Sequence, residues 1–121
     1  MVHKTLTAIL DQRAGEHPER LLYAFYGGDG GLRESCSYAE FARRANGIGG
    51  NLSALGVSRG EVVLLAYPPG IEFMLAFFAC ARIGAIPAPA PVPVQAHRHP
   101  SWGRLAHIAE QAGARRVLST A

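Results

Sequence analysis

The sequence predicts an α/β fold in which a β-hairpin leads into βαβ units with a largely parallel sheet. Three observations carry that expectation. The run Glu61-Val62-Val63-Leu64-Leu65-Ala66-Tyr67 is almost continuously apolar with β-branched members at Val62 and Val63, as in strands covered on both faces. Pro68-Pro69-Gly70 and Gly84 separate it from an apolar helical stretch, Ile71 to Arg82, and from further extended residues at Ala85-Ile86-Pro87, which makes a strand, helix, strand unit. Two short extended runs flank Gly27-Gly28-Asp29-Gly30-Gly31, the pattern of a hairpin.

Taken in order, the elements begin with a short amphipathic helix. Leu6, Ile9 and Leu10 recur at helical spacing, and Gly15 and His17-Pro18 end the pattern. The hairpin follows, formed by Leu21 to Tyr26 and Leu32 to Cys36. Ser37-Tyr38-Ala39-Glu40 is a capping box, in which the Ser37 hydroxyl accepts from the Glu40 amide and the Glu40 carboxylate reaches back. The helix it starts has the expected buried stripe Phe41, Ala45, Ile48, Leu52 and Leu55, with Gly56 as its left-handed stop.

After the apolar strand and the helix Ile71 to Arg82, proline occupies positions 87, 89, 91 and 93. Every second amide donor is then missing, so this extended stretch cannot be a central strand. Gln95 to Pro100 is expected as a polar loop, about Ser101 to Gly113 as a helix stopped by glycine, and Arg115 to Ser119 as a final strand. With 121 residues, 49% hydrophobic and 17% charged, the chain reads as a single globular unit, 1–121, and not as a disordered tail.

Several function classes fall away on composition. The formal charge is +3, but the arginines are scattered, Lys4 is the only lysine, and no basic tract carries interleaved aromatics; nucleic acid is not an expected partner. Cys36 and Cys80 form no CxxC or Cys/His cluster, which gives neither a zinc site nor a disulfide framework and fits a reducing cytoplasm. Cys80 reads as a small buried hydrophobe. The N-terminal apolar stretch is broken at Asp11 and is not expected to be a signal peptide, and the run Ile71 to Ile83 contains Glu72 and Arg82, so no membrane span is expected.

Candidate chemistry is sparse. Gly27 to Gly31 joins two strands, whereas a phosphate loop joins a strand to a helix N-terminus. Gly47, Gly49 and Gly50 lie inside a helix, with Leu52 where a dinucleotide fingerprint needs its third glycine; close helix packing is the expected reason for all three. His97, His99 and His107 lack an acidic or cysteine ligand nearby in sequence, so no metal site is expected. Trp102, Tyr38 and Tyr67 read as packing residues, and Glu72 as a carboxylate favoured by a helix N-terminus. No Ser/His/Asp arrangement is present. The site assignment from sequence is therefore empty: no catalytic, cofactor-binding or metal residue.

Two strings nevertheless carry a family likeness. Ser37 to Ala45 together with Leu52-Ser53-Ala54-Leu55-Gly56-Val57-Ser58-Arg59-Gly60-Glu61-Val62-Val63-Leu64-Leu65 resembles the opening of the AMP-forming acyl and aminoacyl ligases. Pro68-Pro69-Gly70-Ile71-Glu72-Phe73, Ala76-Phe77-Phe78-Ala79-Cys80 and Ile83 to Pro89 resemble the fatty acyl-AMP ligase version of that opening. Leu105-Ala106-His107-Ile108 and Gly113-Ala114-Arg115 extend the likeness over nearly the whole chain. Ala90 and Val92 depart from it, standing where relatives often show a Pro pair and Tyr.

The resemblance implies the N-terminal portion of a large adenylation domain. The parent enzyme would use ATP and Mg²⁺ to convert a fatty acid to an acyl-adenylate, then pass the acyl group to the phosphopantetheine of an acyl carrier protein or polyketide synthase. The family's phosphate loop, adenine-contacting motif, ribose-binding aspartate and C-terminal lysine would all lie beyond residue 121. The segment alone is then expected to be inactive and to self-associate through unpartnered faces. An acyl-CoA synthetase or amino-acid adenylation fragment is the alternative within the ligases. A non-catalytic interaction module built on the same subdomain is the alternative outside them.

Overall fold

The computed structural model of the chain describes residues 5–92 and 100–120. Helix α1 (Leu6–Glu16) is capped by Thr5, whose hydroxyl accepts from the Ala8 amide at 3.1 Å. The hairpin consists of β1 (Leu21–Tyr26) and β2 (Leu32–Ser37), paired antiparallel. Its turn is closed by the Asp29 carboxylate accepting from the Gly31 amide at 2.8 Å, with Gly30 at φ +83°, so the glycine-rich run serves as turn chemistry as expected.

Then come α2 (Tyr38–Ala54), β3 (Val62–Ala66), α3 (Ile71–Arg82), β4 (Ile86–Pro89), α4 (Pro100–Ala112) and β5 (Arg116–Ser119). The last three strands form a parallel sheet in the order β4-β3-β5. The fold is thus the α/β arrangement expected, a hairpin beside a parallel sheet. Pro93, the loop 95–99, His97 and His99 lie outside the described residues.

β3 is central and its residues Val63, Leu64, Leu65 and Ala66 are all buried. Side chains alternate along a strand. Val63 and Leu65 enter a core with Ala76, Ala79 and Cys80 of α3, while Leu64 on the other face is also fully buried. β4 tolerates its prolines because it is an edge. The amides of Ile86 and Ala90 donate to Glu61 and Leu65 carbonyls, and Pro87 and Pro89 fall between them, on the side where no donor is needed.

The Ser37 cap of α2 forms as expected, its hydroxyl accepting from the Glu40 amide at 3.2 Å. Phe41, Ala45 and Leu52 are buried and Ile48 packs on the edge of the core, but Leu55 corrects the expected stripe, being 72% exposed. The reason is the helix ending. Val57 donates to Leu52 and Gly56 to Ser53, with Gly56 at φ +94°. This is the Schellman pattern, which turns the chain so that the residue after glycine, Val57, meets Leu52 in the core. The same pair of bonds ends α3 (Ala85 to Cys80, Gly84 to Ala81) and α4 (Ala114 to Ala109, Gly113 to Glu110).

Two further expectations need correction. Of the apolar positions on α1 only Leu10 is buried; Leu6 is 56% and Ile9 40% exposed, because the helix rests on α2 and α3 by one edge and leans over a groove with the other. Among the helical glycines, only Gly49 marks a close approach. A Cβ there would lie 3.3 Å from the Ala79 carbonyl oxygen and 3.4 Å from Ile83 Cγ2, whereas positions 47 and 50 face open space.

Candidate functional site

In open α/β sheets ligands bind beyond the carboxyl ends of the strands, where strand order reverses direction. Here that point lies between β3 and β5: the chain goes from β3 to β4 on one side and then to β5 on the other. A crevice of about 310 Å³ opens there. Tyr67, the residue after β3, and Ser119, the last of β5, form its floor, and Thr120 continues it. Glu72 from the first turn of α3 and Arg44 from α2 face it, with Leu75, Ala76 and Ile48 as the apolar wall.

Each group has a local reason for its position. The Ser119 hydroxyl donates to the Ala66 carbonyl at 2.9 Å, locking the ends of β3 and β5 together. Tyr67 is half-buried, and its phenol is raised above the ordinary value by burial first and by the Glu72 charge second, so it is a neutral hydrogen-bond donor throughout the physiological range. Arg44 also lies near the Cys36 thiol, where its charge weakly opposes the upward shift that burial imposes. The crevice therefore offers one cation, one carboxylate and neutral hydroxyls against an apolar wall, a set suited to holding a polar ligand.

It is not a set for covalent chemistry. Cys80 is buried in the core with its thiol pushed up to about 11 by burial, and burial, seconded by the Glu40 carboxylate, also raises Cys36 despite Arg44 and Arg43 nearby. Neither supplies a thiolate at neutral pH. Among the described residues no three His, Cys, Asp or Glu side chains gather as a metal site. Glu72 is the one carboxylate lining the crevice, so the residues present do not fit a dedicated Mg²⁺ site.

The residues do not fit a triphosphate either. A phosphate cradle needs several backbone N–H groups at a strand-to-helix turn, and the turn between β3 and α3 is Tyr67-Pro68-Pro69-Gly70, two of whose residues have no N–H to offer.

Sequence reasoning named no site residue. Tyr67 and Glu72, expected as a packing residue and a dipole-favoured carboxylate, prove to share the crevice with Arg44 and Ser119. No local motif marks Arg44 or Ser119; the signal available was that Tyr67 and Ser119 each end a parallel strand. Tyr38 lines a different groove, Trp102 is 43% exposed and His107 is exposed on α4. None of the three approaches the crevice lining.

Comparison with known proteins gives this frame its context. A family model described as AMP-binding enzyme matches residues 10–121. A salicyl-AMP ligase / salicyl-S-ArCP synthetase of Mycobacterium tuberculosis is 37% identical over 113 residues, covering 91% of this chain and 19% of the relative. A medium-chain-fatty-acid–[acyl-carrier-protein] ligase of Moorena producens is 38% identical over 96 residues, covering 78% of this chain and 16% of that protein. The crystal structure of a fatty acid AMP ligase from Legionella pneumophila superposes with a TM-score of 0.87 at 26% identity, over 97% of this chain and 20% of that one. The chain thus spans a fifth or less of the length of each of these three proteins.

Proposed function

The chain belongs to the AMP-binding enzyme family, and from that footing we propose that it is the N-terminal portion of the large domain of a ligase that adenylates fatty acids. In such a ligase a carboxylate oxygen attacks the α-phosphorus of ATP, the bond to the β-phosphate breaks, and pyrophosphate leaves. A carrier thiolate then attacks the acyl carbon and AMP leaves. The family match over residues 10–121 carries this reading. The likeness to a fatty acid AMP ligase over 97% of the chain supports the acid class.

The role we assign to these residues is binding and scaffolding, with no catalytic residue, no metal ligand and no phosphate contact among them. The crevice at Arg44, Tyr67 and Ser119 serves as a polar wall of the ligand region. The acceptor we favour is the phosphopantetheine of an acyl carrier protein, free or within a polyketide synthase, because the Moorena relative is a ligase for an acyl carrier protein. Two free buried cysteines fit a cytoplasmic setting.

The test is ATP–pyrophosphate exchange by the protein that carries this chain, with dodecanoate, salicylate and an amino acid as competing acids. Exchange strongest with dodecanoate is expected. Exchange confined to salicylate would favour the second reading, an aryl-acid ligase, which the 37% identity to the salicyl-AMP ligase supports; no exchange with any acid would overturn the enzymatic reading. Transfer to coenzyme A in place of a carrier protein would overturn the acceptor assignment. The 121-residue chain alone should show no exchange.

A further inference from the structure

The hairpin turn carries a chemistry that the crevice does not use. Two dipeptides place a short carbonyl-bearing side chain immediately before glycine: Asp29-Gly30 and Asn46-Gly47. Both are open to the same reaction, because a glycine nitrogen has no side chain of its own residue to shield it. That nitrogen attacks the side-chain carbonyl carbon, a five-membered succinimide closes, and water leaves from aspartate or ammonia from asparagine. By sequence Asn46 ranks first, since its neutral amide reacts as it stands whereas an aspartate must be protonated before it can release water.

The fold places the two dipeptides in opposite settings. Asn46 and Gly47 lie in the interior of α2, between the fully buried Ala45 and Gly49, whose backbone approaches Ala79. Closing a succinimide there rotates the backbone out of the helical region and breaks the i to i−4 ladder, so the reaction waits on local unfolding of packed helix. Asp29 and Gly30 are exposed at the tip of the hairpin, and a Cβ at Gly28 or Gly30 would meet nothing within 4 Å. The Asp29 side chain is folded back along the turn, accepting from the Gly31 amide at 2.8 Å, which keeps its carboxyl carbon beside the intervening Gly30 nitrogen. That nitrogen donates within the same turn, to the Gly27 carbonyl at 2.9 Å. Tyr26 and Leu32 on either side are 66% and 58% exposed, so the tip is held by its own turn bonds and not by the core.

We propose that Asp29 is a site of spontaneous isoaspartate formation, selected over Asn46 by the fold. The Gly30 nitrogen bonds to Asp29 Cγ, the Cγ–OH bond of the protonated carboxyl breaks, and the hydroxyl leaves as water with the amide proton. Water then adds to the former main-chain carbonyl of Asp29 and opens the imide, so that the chain runs through Cγ and the α-carboxylate becomes the side chain. One water leaves and one is added, and nothing is oxidised or reduced. The product carries an extra methylene in the main chain at the tightest point of the hairpin. The bond from the Gly27 amide to the Gly31 carbonyl, 2.8 Å long, and the adjoining pair Tyr26 and Leu32 are the first contacts it should open. The displaced carboxylate is a methyl acceptor of the class that isoaspartyl methyltransferases recognise. The inference is independent of the adenylation reading, and no residue lining the crevice lies on the hairpin.

The experiment is peptide mapping of the protein that carries this chain after incubation at 37 °C, both folded and in guanidinium chloride. Trypsin separates the two positions into peptides 21–33 and 45–59, and isoaspartate is read by enzymatic methylation and by electron-transfer fragmentation. In the folded protein isoaspartate should accumulate at position 29 faster than any change at Asn46, and unfolding should reverse the order. Asp29→Asn equalises the leaving groups. In that variant, folded, position 29 should deamidate at least about tenfold faster than Asn46, which local opening of α2 limits, while in denaturant the two should react at similar rates. Asp29→Glu, whose ring would be six-membered, should leave peptide 21–33 unmodified, and circular dichroism verifies that both variants keep the fold. Position 29 reacting no faster than Asn46 in folded Asp29→Asn would overturn the proposal. So would an unmodified peptide 21–33 in the folded parent once the unfolded parent has converted.

Discussion

Substitution of the three helical glycines of α2 separates packing from propensity. Glycine in a helix interior is less favourable than alanine by about 0.8–1.0 kcal/mol. Positions 47 and 50 are exposed, have no neighbouring atom within 4 Å of a would-be Cβ, and do not have positive φ. Gly47→Ala and Gly50→Ala should therefore each stabilise the chain by about 0.5–1 kcal/mol. At Gly49 the same methyl would meet the Ala79 carbonyl oxygen at 3.3 Å and Ile83 at 3.4 Å, so the propensity gain is offset and the net change should be near zero.

A larger side chain at position 49 has no room, and Gly49→Leu must push α2 from α3 at a cost of about 1–3 kcal/mol or more. Urea denaturation read by circular dichroism gives the four midpoints directly. The expected order of stability is Gly47→Ala and Gly50→Ala above the parent, Gly49→Ala near it, and Gly49→Leu well below. A Gly49→Leu midpoint equal to that of Gly47→Ala would refute the close approach of the two helices.

Three further outcomes follow from side-chain geometry. Arg116→Ala removes a guanidinium that donates to Glu61 at 2.9 Å and to the Leu55 carbonyl at 3.2 Å; a loss of about 1–2 kcal/mol is expected in the same denaturation assay, charge-assisted bonds being discounted for partial exposure. The Arg82 hydrogen bond, seconded by its charge, holds Asp11 below its ordinary 3.8 against the opposing effect of burial. A depressed folded value gives stability that is present above 3.8 and lost as pH falls through the folded value, so the parent should lose α1 protection from hydrogen exchange at the acid end more steeply than Asp11→Asn does. Cys36 and Cys80, both buried with raised thiols, should resist an aromatic disulfide reagent at pH 7.5 and react fully only after denaturation.

What was legible in the sequence is what local chemistry alone decides. Gly56, Gly84 and Gly113 announce helix ends because no other residue takes φ between +69° and +94° without strain, and Ser37 announces a helix start by its hydroxyl. Proline at 87 and 89 announces an edge strand. The misreadings share one cause. Leu55, Leu6 and Ile9 fit a helical stripe by spacing, yet burial depends on what lies opposite, and Gly47 and Gly50 differ from Gly49 only in whether a second helix is near. The crevice was invisible for the same reason, since Arg44 and Ser119 come together only once α2 packs on α3 and β5 pairs with β3.

The two edges of the parallel sheet divide these roles. At the amino-terminal edge lie the three Schellman endings, the Gly60 amide bonded to the Gly84 carbonyl at 2.8 Å, and Arg116 joining Glu61 to Leu55. These are backbone turns and paired charges that leave few groups free for a ligand, and they hold the strands at fixed spacing. At the carboxyl edge the connection from β3 runs through Pro68-Pro69-Gly70, and there Tyr67, Glu72 and Arg44 face open space. A rigid lower edge lets the upper edge hold its polar groups in fixed positions, which is what preorganised binding requires. Substitutions at Gly84, whose φ is +79° and where a Cβ would strike Arg59 at 2.8 Å, should therefore lower stability and ligand affinity together. Tyr67→Phe should lower affinity alone. Equal stability loss in both variants, measured by Tm, would refute the division.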